Sequence, residues 1–356
     1  MTGKEGASRQ RPRDTAALRI TRRAFLAGGA ITMLSLLGCG AQEASGTNAN
    51  TASTSGVVRF GTLGLSGRLH ESGIIAQKEG FIEEELAKAG FTPSYQAYAQ
   101  AGPAVNEAFA SGEVDAAIYS DMVSVTAMSK RLPVKIVASS NSRYEYGVLA
   151  GSASSIRSVA DLKGKRVVAA FGTSAYQYLI KTLTEAGLGL ADIQIVNGTA
   201  ADAPNMVAGG QADALALPLA QTYTIEEKGA GSVIATSVGN DALSSTHALA
   251  VRTEFAEKNP QAVVALVRSL QRAYEFARED VDKARQDLTD ETYSAETVAK
   301  VYPDASFPSL NPQITDTVRT KYADLLQFMK DNKLVDGSTS IDGLFDTSYY
   351  DQAVSA

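Results

Sequence analysis

The 356-residue chain has no tryptophan, one cysteine and two histidines. A single cysteine, Cys39, excludes an internal disulfide and any zinc or iron–sulfur site built on several thiolates. His70-Glu71 does not begin a zincin motif, because Ile74 stands where the second histidine is needed. An excess of basic charge is missing too. The net charge is −6, and residues 1–38 hold seven basic residues against two acidic ones, so the remainder carries −11. Such a surface repels nucleic acid, and no basic patch with interleaved aromatics occurs. After Cys39 no apolar run approaches the roughly 20 residues that span a bilayer. What is present is an ordinary globular composition, 44% hydrophobic, and enough chain after residue 56 for one or two domains with a sizeable core.

The N-terminal residues carry their own pattern. Arg22-Arg23 precede an apolar stretch that closes at Leu36-Leu37-Gly38-Cys39, and no acidic residue occurs between Arg19 and Gln42. A charged region, a short apolar region and a small residue before the break are the parts of a cleavable export signal. The paired arginine resembles the twin-arginine motif, although Ala27 stands where lysine is common. Leu-Leu-Gly-Cys resembles a bacterial lipobox, which implies a lipid on Cys39. Residues 42–56 are Gln42, Glu43 and otherwise Ala, Ser, Thr, Asn and Gly, a composition that buries no core and reads as a flexible tether. The expectation is an export signal over 1–38, a tether over 39–56, and an extracytoplasmic protein held on the bacterial membrane by its lipid.

Beyond the tether, strand and helix patterns alternate. Residues 57–63, 94–99, 115–119 and 134–139 read as strands, with helices between them ending at Gly90, Gly112 and Lys130. A second series follows at 166–170, 173–186 and 193–197, and residues 247–251 read as a strand again. Ala110-Ser111-Gly112-Glu113-Val114-Asp115-Ala116 is echoed by Ala208-Gly209-Gly210-Gln211-Ala212-Asp213-Ala214. This βα alternation predicts mostly parallel sheets flanked by helices, and the echo predicts two similar lobes. The lobes are expected over 57–141 plus 245–356 and over 142–244, with chain crossings near 140–146 and 239–245 acting as a two-segment hinge. The tail reads as helical over 260–287 and 311–332.

Three segments carry a family resemblance: Gly102 to Gly112, Ser158 to Lys165, and Gly172-Thr173-Ser174-Ala175-Tyr176. Together with Glu257-Lys258-Asn259-Pro260, they resemble the nitrate/sulfonate/taurine-type substrate-binding proteins of ABC importers, including NMT1/THI5-like members. The likeness runs from about Val57 to about Gln352. It implies the type II periplasmic-binding-protein fold, a small anionic organic solute clamped between lobes, and delivery to a permease and its ATPase by a monomer. It implies no enzyme activity and no cofactor. Where many relatives carry tryptophan and an acidic residue, this chain has Leu215-Ala216-Leu217-Pro218-Leu219, which favours a solute with an organic tail over nitrate.

In open α/β sheets, ligands sit at the carboxyl ends of strands beside helix N-termini. That rule selects Ser66, Gly67, Arg68 and His70 after the first strand. It also selects Gln100 and Gly102 after the second, and Ser120, Asp121 and Met122 after the third. In the second lobe Thr173 and Ser174 open a helix whose free N–H groups suit an anion, with Tyr146, Tyr176 and Pro218 nearby. Each has a plainer role: Thr173, Ser174 and Ser120 are good helix caps, Tyr144, Tyr146 and Tyr176 are common core or hinge residues, Met122 is a packing residue, and His247 is a satisfied core residue. Asp121, if it faces the cleft, suits the amine of a taurine-like solute.

Enzymatic readings fail on local requirements. Tyr176 replaces the final glycine of a Gly-x-Ser-x-Gly elbow, Gly164-Lys165 follows no glycine-rich loop, and cysteine-dependent desulfinase chemistry, known on related folds, has no nucleophile once Cys39 holds the lipid. Two alternatives stay open at this level. One is a lipid-anchored sensor that docks to a membrane receptor; the other is a binder of a larger aromatic or heterocyclic solute such as a thiamine pyrimidine precursor.

Overall fold

A computed structural model describes residues 56–64, 66–289, 293–305 and 307–355. The export signal, Cys39 and most of the tether lie outside them. Ten strands form two five-stranded sheets. The first holds β1 (Gly56–Leu63), β2 (Phe91–Tyr98), β3 (Ala116–Ser120), β4 (Val134–Tyr144) and β10 (Ser245–Arg252). The second holds β5 (Tyr146–Gly151), β6 (Arg166–Ala169), β7 (Gln194–Asn197), β8 (Ala214–Pro218) and β9 (Gly231–Thr236). The strand orders are β2-β1-β3-β10-β4 and β7-β6-β8-β5-β9. In each, four strands run in one direction, and the fifth, β10 or β5 from a chain crossing, lies antiparallel between two of them. The fold class is therefore the expected one: two α/β lobes joined by two crossings. Strand β4 passes into β5 through Glu145, and β9 reaches β10 through residues 237–244.

Alternation along the strands builds a core on both faces of the first sheet. Phe60, Ile118, Leu249 and Val251 pack on one side against the helix Pro260–Glu279. Ala117, Tyr119, Ala248 and Ala250 pack on the other against the helix Asp316–Asp331. The helix Pro260–Glu279 buries Ala262, Leu266, Leu270, Ala273 and Ala277, the three-to-four spacing of a single helical stripe. The second sheet is covered in the same two-sided way. Leu215 and Leu217, from the segment that the sequence ties to a solute with an organic tail, belong to that core. Among the described residues no helix is long and apolar enough to cross a membrane.

The echoed Gly-x-x-Asp segments have one physical role. Asp115 Oδ2 accepts the N–H of Arg59 at 3.1 Å, and Arg59 N–H groups at Nε and Nη2 reach the same carboxylate at 2.8 and 2.7 Å. In the second lobe Asp213 does the same with Arg166, at 2.8 Å to the backbone and 3.2 and 2.7 Å to the guanidinium. Each aspartate thus pins the start of one strand to its parallel neighbour, which is why the pattern recurs once per lobe.

Several boundaries differ from the sequence reading. The first helical stretch breaks at Gly80 (φ 73°), giving Ser72–Lys78 and Phe81–Lys88. The tail helix breaks at Asp280, whose side chain accepts from Lys283 N–H and caps Val281–Leu288. The last long helix starts at Asp316, capped by Thr315, rather than at 311. Strands β5 and β9 were not recognised: β5 follows the hinge within two residues of β4, so no turn signal separates the two.

Candidate functional site

The strand ends and helix starts selected above come together, but as partners of one another. Ser174, the first residue of the helix Ser174–Glu185, donates through Oγ to Asp121 Oδ1 at 3.2 Å. Asp121 opens the helix Asp121–Ser129 of the first lobe, so this bond joins the two lobes. The same carboxylate accepts from Met122 N–H at 2.7 Å and from Thr246 N–H at 2.9 Å. Nearby, Tyr146 Oη and Ser245 Oγ share a 2.7 Å hydrogen bond. Asp121, Met122, Tyr146 and Ser174 are all at most 3% exposed. Burial lifts the Asp121 carboxyl above its usual range, against those N–H and O–H donors, which favour its charge.

The remaining selected residues are placed as follows. Thr173 caps its helix, with Oγ1 accepting from Tyr176 N–H at 3.5 Å and donating to Ala170 O at 2.6 Å. Ser120 precedes the first-lobe helix as its cap residue. Arg68 Nη2 reaches the carbonyls of Asp287 and Leu288, both at 3.3 Å, tying the first loop to the end of a tail helix. Gly102 is required for packing, since a Cβ there would come within 2.2 Å of Val123. Gln100 and Ser66 are exposed, Gly67 is half-buried at φ 66°, and Pro218 pairs with Tyr146 across β5 and β8. Tyr176 is half-buried and its ring lies 5.0 Å from that of Phe171.

Space for a solute lies beside this contact, in a cavity of about 370 Å³. Of the selected residues, His70 is in its wall. Glu71 adjoins it, residues 141–145 at the β4–β5 crossing form another side, and Ala220, Val238 and Asp241 come from the second lobe. Tyr293, Tyr302 and Phe307 close it from the tail. The helix Ala295–Val301 fastens this wall to the second lobe: Ser294 Oγ and Thr297 Oγ1 donate to the Glu227 carboxylate at 2.8 and 2.7 Å.

The wall is mostly apolar but carries a connected set of polar groups. Glu71 Oε1 lies 3.1 Å from His247 Nδ1 and 3.8 Å from His70 Nδ1, and Oε2 lies 3.4 Å from Ser140 Oγ. Burial alone would raise the Glu71 carboxyl, but the two imidazoles and the Ser140 hydroxyl outweigh it and hold the group below its usual value. Burial pushes His70 down, opposed by Glu71, and pushes the Tyr144 phenol well up. Tyr144 stacks on His247, ring centres 3.9 Å apart. Arg143 Nε donates to Glu145 Oε1 at 2.9 Å. Lys321 Nζ donates to Ser142 O at 2.9 Å and to Ser244 Oγ at 2.8 Å, and burial lowers its pKa against the pull of Asp241. Among the described residues no cluster of His, Cys, Asp and Glu is suited to a metal ion.

Sequence reasoning located the first loop and the hinge but not the tail side of the cavity. A signal existed for 141–145, since a hinge between lobes necessarily borders the cleft. For Tyr293, Tyr302 and Phe307 none existed, because nothing local marks a tail segment that folds back over the hinge.

Two sheets of matching strand order, joined by two crossings with a cavity between them, define a periplasmic-binding-protein fold. Residues 70–284 match the NMT1/THI5-like family, and the chain belongs to it. A Bacillus subtilis (strain 168) protein named as an aliphatic sulfonates-binding protein is 24% identical over 323 residues, covering 90% of this chain and 93% of that one. The alkanesulfonate-binding protein SsuA of Xanthomonas axonopodis pv. citri, solved bound to MOPS, superposes with a TM-score of 0.70 at 20% identity, covering 82% of this chain and 98% of that one. The desulfurization enzyme DSZB shares the fold at TM-score 0.65 and 15% identity, covering 84% and 99%.

Proposed function

We propose that this protein is an extracytoplasmic solute-binding lipoprotein that captures a small organic sulfonate between its lobes and delivers it to an ABC importer permease. The observation that carries the reading is the cavity at the hinge, walled by both lobes and by the tail. A solute there touches each moving part, so it binds the closed form more tightly than the open one and shifts the population toward closure. The named relatives, which bind sulfonates, supply the solute class. Cationic groups for the acid end are Arg143 and Lys321, fixed beside the hinge by the bonds above. Uptake energy comes from the partner ATPase, and the protein acts as a monomer with no cofactor. DSZB shows that the same fold also supports catalysis, but the only cysteine here, Cys39, belongs to the anchor.

A thermal-shift series on the purified protein tests this directly. A ligand that binds only the folded state raises the melting temperature as its concentration exceeds Kd, by about 2.7 kcal/mol of added stability at 100-fold excess. Alkanesulfonates and MOPS are expected to raise it, with nitrate and bicarbonate inert. A shift produced by a thiamine pyrimidine precursor and by no sulfonate would replace the solute class.

Ser174→Ala is expected to loosen the closed form by removing the Asp121 contact, by about 1 kcal/mol. Small-angle scattering of the unliganded variant would then show a larger radius of gyration. An unchanged radius and unchanged affinity would mean that this bond does not hold the lobes together.

A further inference from the structure

The tail segment beside the cavity is attached to the two lobes by different forces. Its helix Ala295–Val301 contributes Val298, Lys300 and Val301 to the cavity wall. By apolar packing the segment belongs to the first lobe: Val298, Phe307 and Leu310 are part of the core that holds Phe60 and Leu266. Arg285, on the preceding tail helix, adds Nη2 contacts to the carbonyls of Tyr302 and Pro303 at 3.1 and 3.4 Å. By polar contact the segment belongs to the second lobe. Glu227 ends the helix Leu219–Glu227 and accepts a hydroxyl on each carboxylate oxygen, Thr297 Oγ1 on Oε1 at 2.7 Å and Ser294 Oγ on Oε2 at 2.8 Å. Lys300 Nζ, paired with Glu296 at 2.8 Å, stands 3.9 Å from Oε1 and 5.5 Å from the centre of the Tyr223 ring.

Both sides of this contact are shaped for it. Ala220, Tyr223 and Glu227 follow one another at three- and four-residue steps, which places them on one face of their helix. Ala220 reaches the cavity, while Tyr223 and Glu227 meet the tail. Thr297 is fully buried, so its hydroxyl has no water to replace the carboxylate. Ser294 also caps the tail helix: its Oγ accepts from Thr297 N–H at 3.0 Å while its proton goes to Glu227. Burial would raise the Glu227 carboxyl, but the hydroxyls of Thr297 and Ser294 and the ammoniums of Lys300 and Lys228 hold it below its ordinary value. Hydrogen bonds to an ionised group are the strong ones. The buried apolar side chain of the tail helix, Val298, packs on the other lobe, so the grip of the second lobe on this helix is mainly polar.

Opening the lobes therefore leaves the tail wall on the first lobe and breaks its bonds to Glu227. Those bonds belong to the closed form, and a clamped solute leaves from the open one. We propose that Glu227, which does not itself line the cavity, is the positioning residue that fastens the tail wall across the cleft and sets how long a bound solute is retained. This rests on the solute-binding reading above and adds to it a residue outside the cavity.

The test is stopped-flow binding of MOPS to the full chain, alongside hydrogen exchange without MOPS. Binding is read by tyrosine emission, since Tyr293 and Tyr302 line the cavity and the chain has no tryptophan to mask them. Glu227→Ala is expected to raise the MOPS dissociation rate about tenfold or more, the size of a lost hydrogen bond to a charged group, with the association rate unchanged or faster. Amides of residues 297–302 should exchange about tenfold faster, and those of β1 and β10 at the wild-type rate. Thr297→Val, which keeps the side-chain shape and the carboxylate, should give part of the effect and add little to Glu227→Ala, because the bond is already gone. A merely destabilised fold would lower the fraction of protein that binds and leave the dissociation rate of the remainder unaltered. An unaltered dissociation rate in Glu227→Ala, unaltered exchange at 297–302, or full additivity of the two substitutions overturns the proposal. Failure of the wild type itself to bind MOPS overturns the sulfonate reading and the retention claim with it, a result distinct from binding that the variants leave unchanged.

Discussion

Asp115→Ala is expected to lower the unfolding free energy by about 2–3 kcal/mol, the usual cost of losing hydrogen bonds to a buried charged group. Asp115 is 2% exposed and accepts four hydrogen bonds, three from Arg59 and one from Arg252 Nη2 at 2.8 Å. Its loss leaves Glu254, 2.8 Å from Nη1, as the remaining partner of the Arg252 guanidinium, and unpins the start of β3 from β1. The effect depends on pH in a defined direction. Burial would raise the Asp115 carboxyl, but the two arginines outweigh it and the folded value lies below the ordinary one. A depressed carboxyl contributes stability that is complete above its unfolded pKa, about 3.9. That contribution disappears as pH falls through the folded value. The gap between wild type and variant is therefore expected to be full at pH 7 and to close in the acid range below about pH 4. Urea titrations at both ends measure it. Asp213→Ala, the matching change in the second lobe, should cost less, because Asp213 and Arg166 are 28% and 39% exposed and water replaces part of the lost pairing. Equal losses at the two sites would mean that burial does not set the strength of these pins.

Cys39→Ala is expected to move the protein from the membrane fraction to the soluble one, an all-or-none change. Cys39 lies outside the described residues, and the expectation rests on the Leu-Leu-Gly-Cys sequence and the polar tether after it. Membrane attachment by acyl chains gains about 0.8 kcal/mol per buried CH₂, so stable anchoring needs more than one chain. No helix among the described residues provides another route into the bilayer. Labelling cells with radioactive palmitate distinguishes the cases. Label in the wild type and none in the variant supports the anchor; an unlabelled wild type that still sediments with membranes removes it.

The lobed architecture was legible because its signals are local. Alternating apolar residues, glycines at helix ends and the twice-used Gly-x-x-Asp turn each act within one strand or one turn, and both aspartates proved to do the same job. The misplaced boundaries were also local failures: Gly80 and Asp280 break helices whose apolar stripes continue past them. The site was less legible. Asp121 and Ser174 were both selected as ligand contacts, each for sound reasons of position at a helix start. In the structure the two are hydrogen-bonded to one another at 3.2 Å across the lobes, a pairing of buried polar groups that no local signal announces.

His247 shows the same limit from the other side. Its setting in an apolar strand marked it as a satisfied core residue, and it is indeed buried and paired. Its partner, however, is the carboxylate of Glu71, 176 residues away in a turn where Glu71 holds φ 51°. Taken alone, the sequence determined the kinds of elements, their order and the two-lobed plan, since backbone preference and apolar periodicity operate over a few residues. Only the tertiary structure decided which polar groups meet at the hinge, and that the tail closes the cavity. Those meetings depend on the distant chain crossings that bring β4, β10 and the segment around Tyr293 to one place, and no short-range preference encodes them.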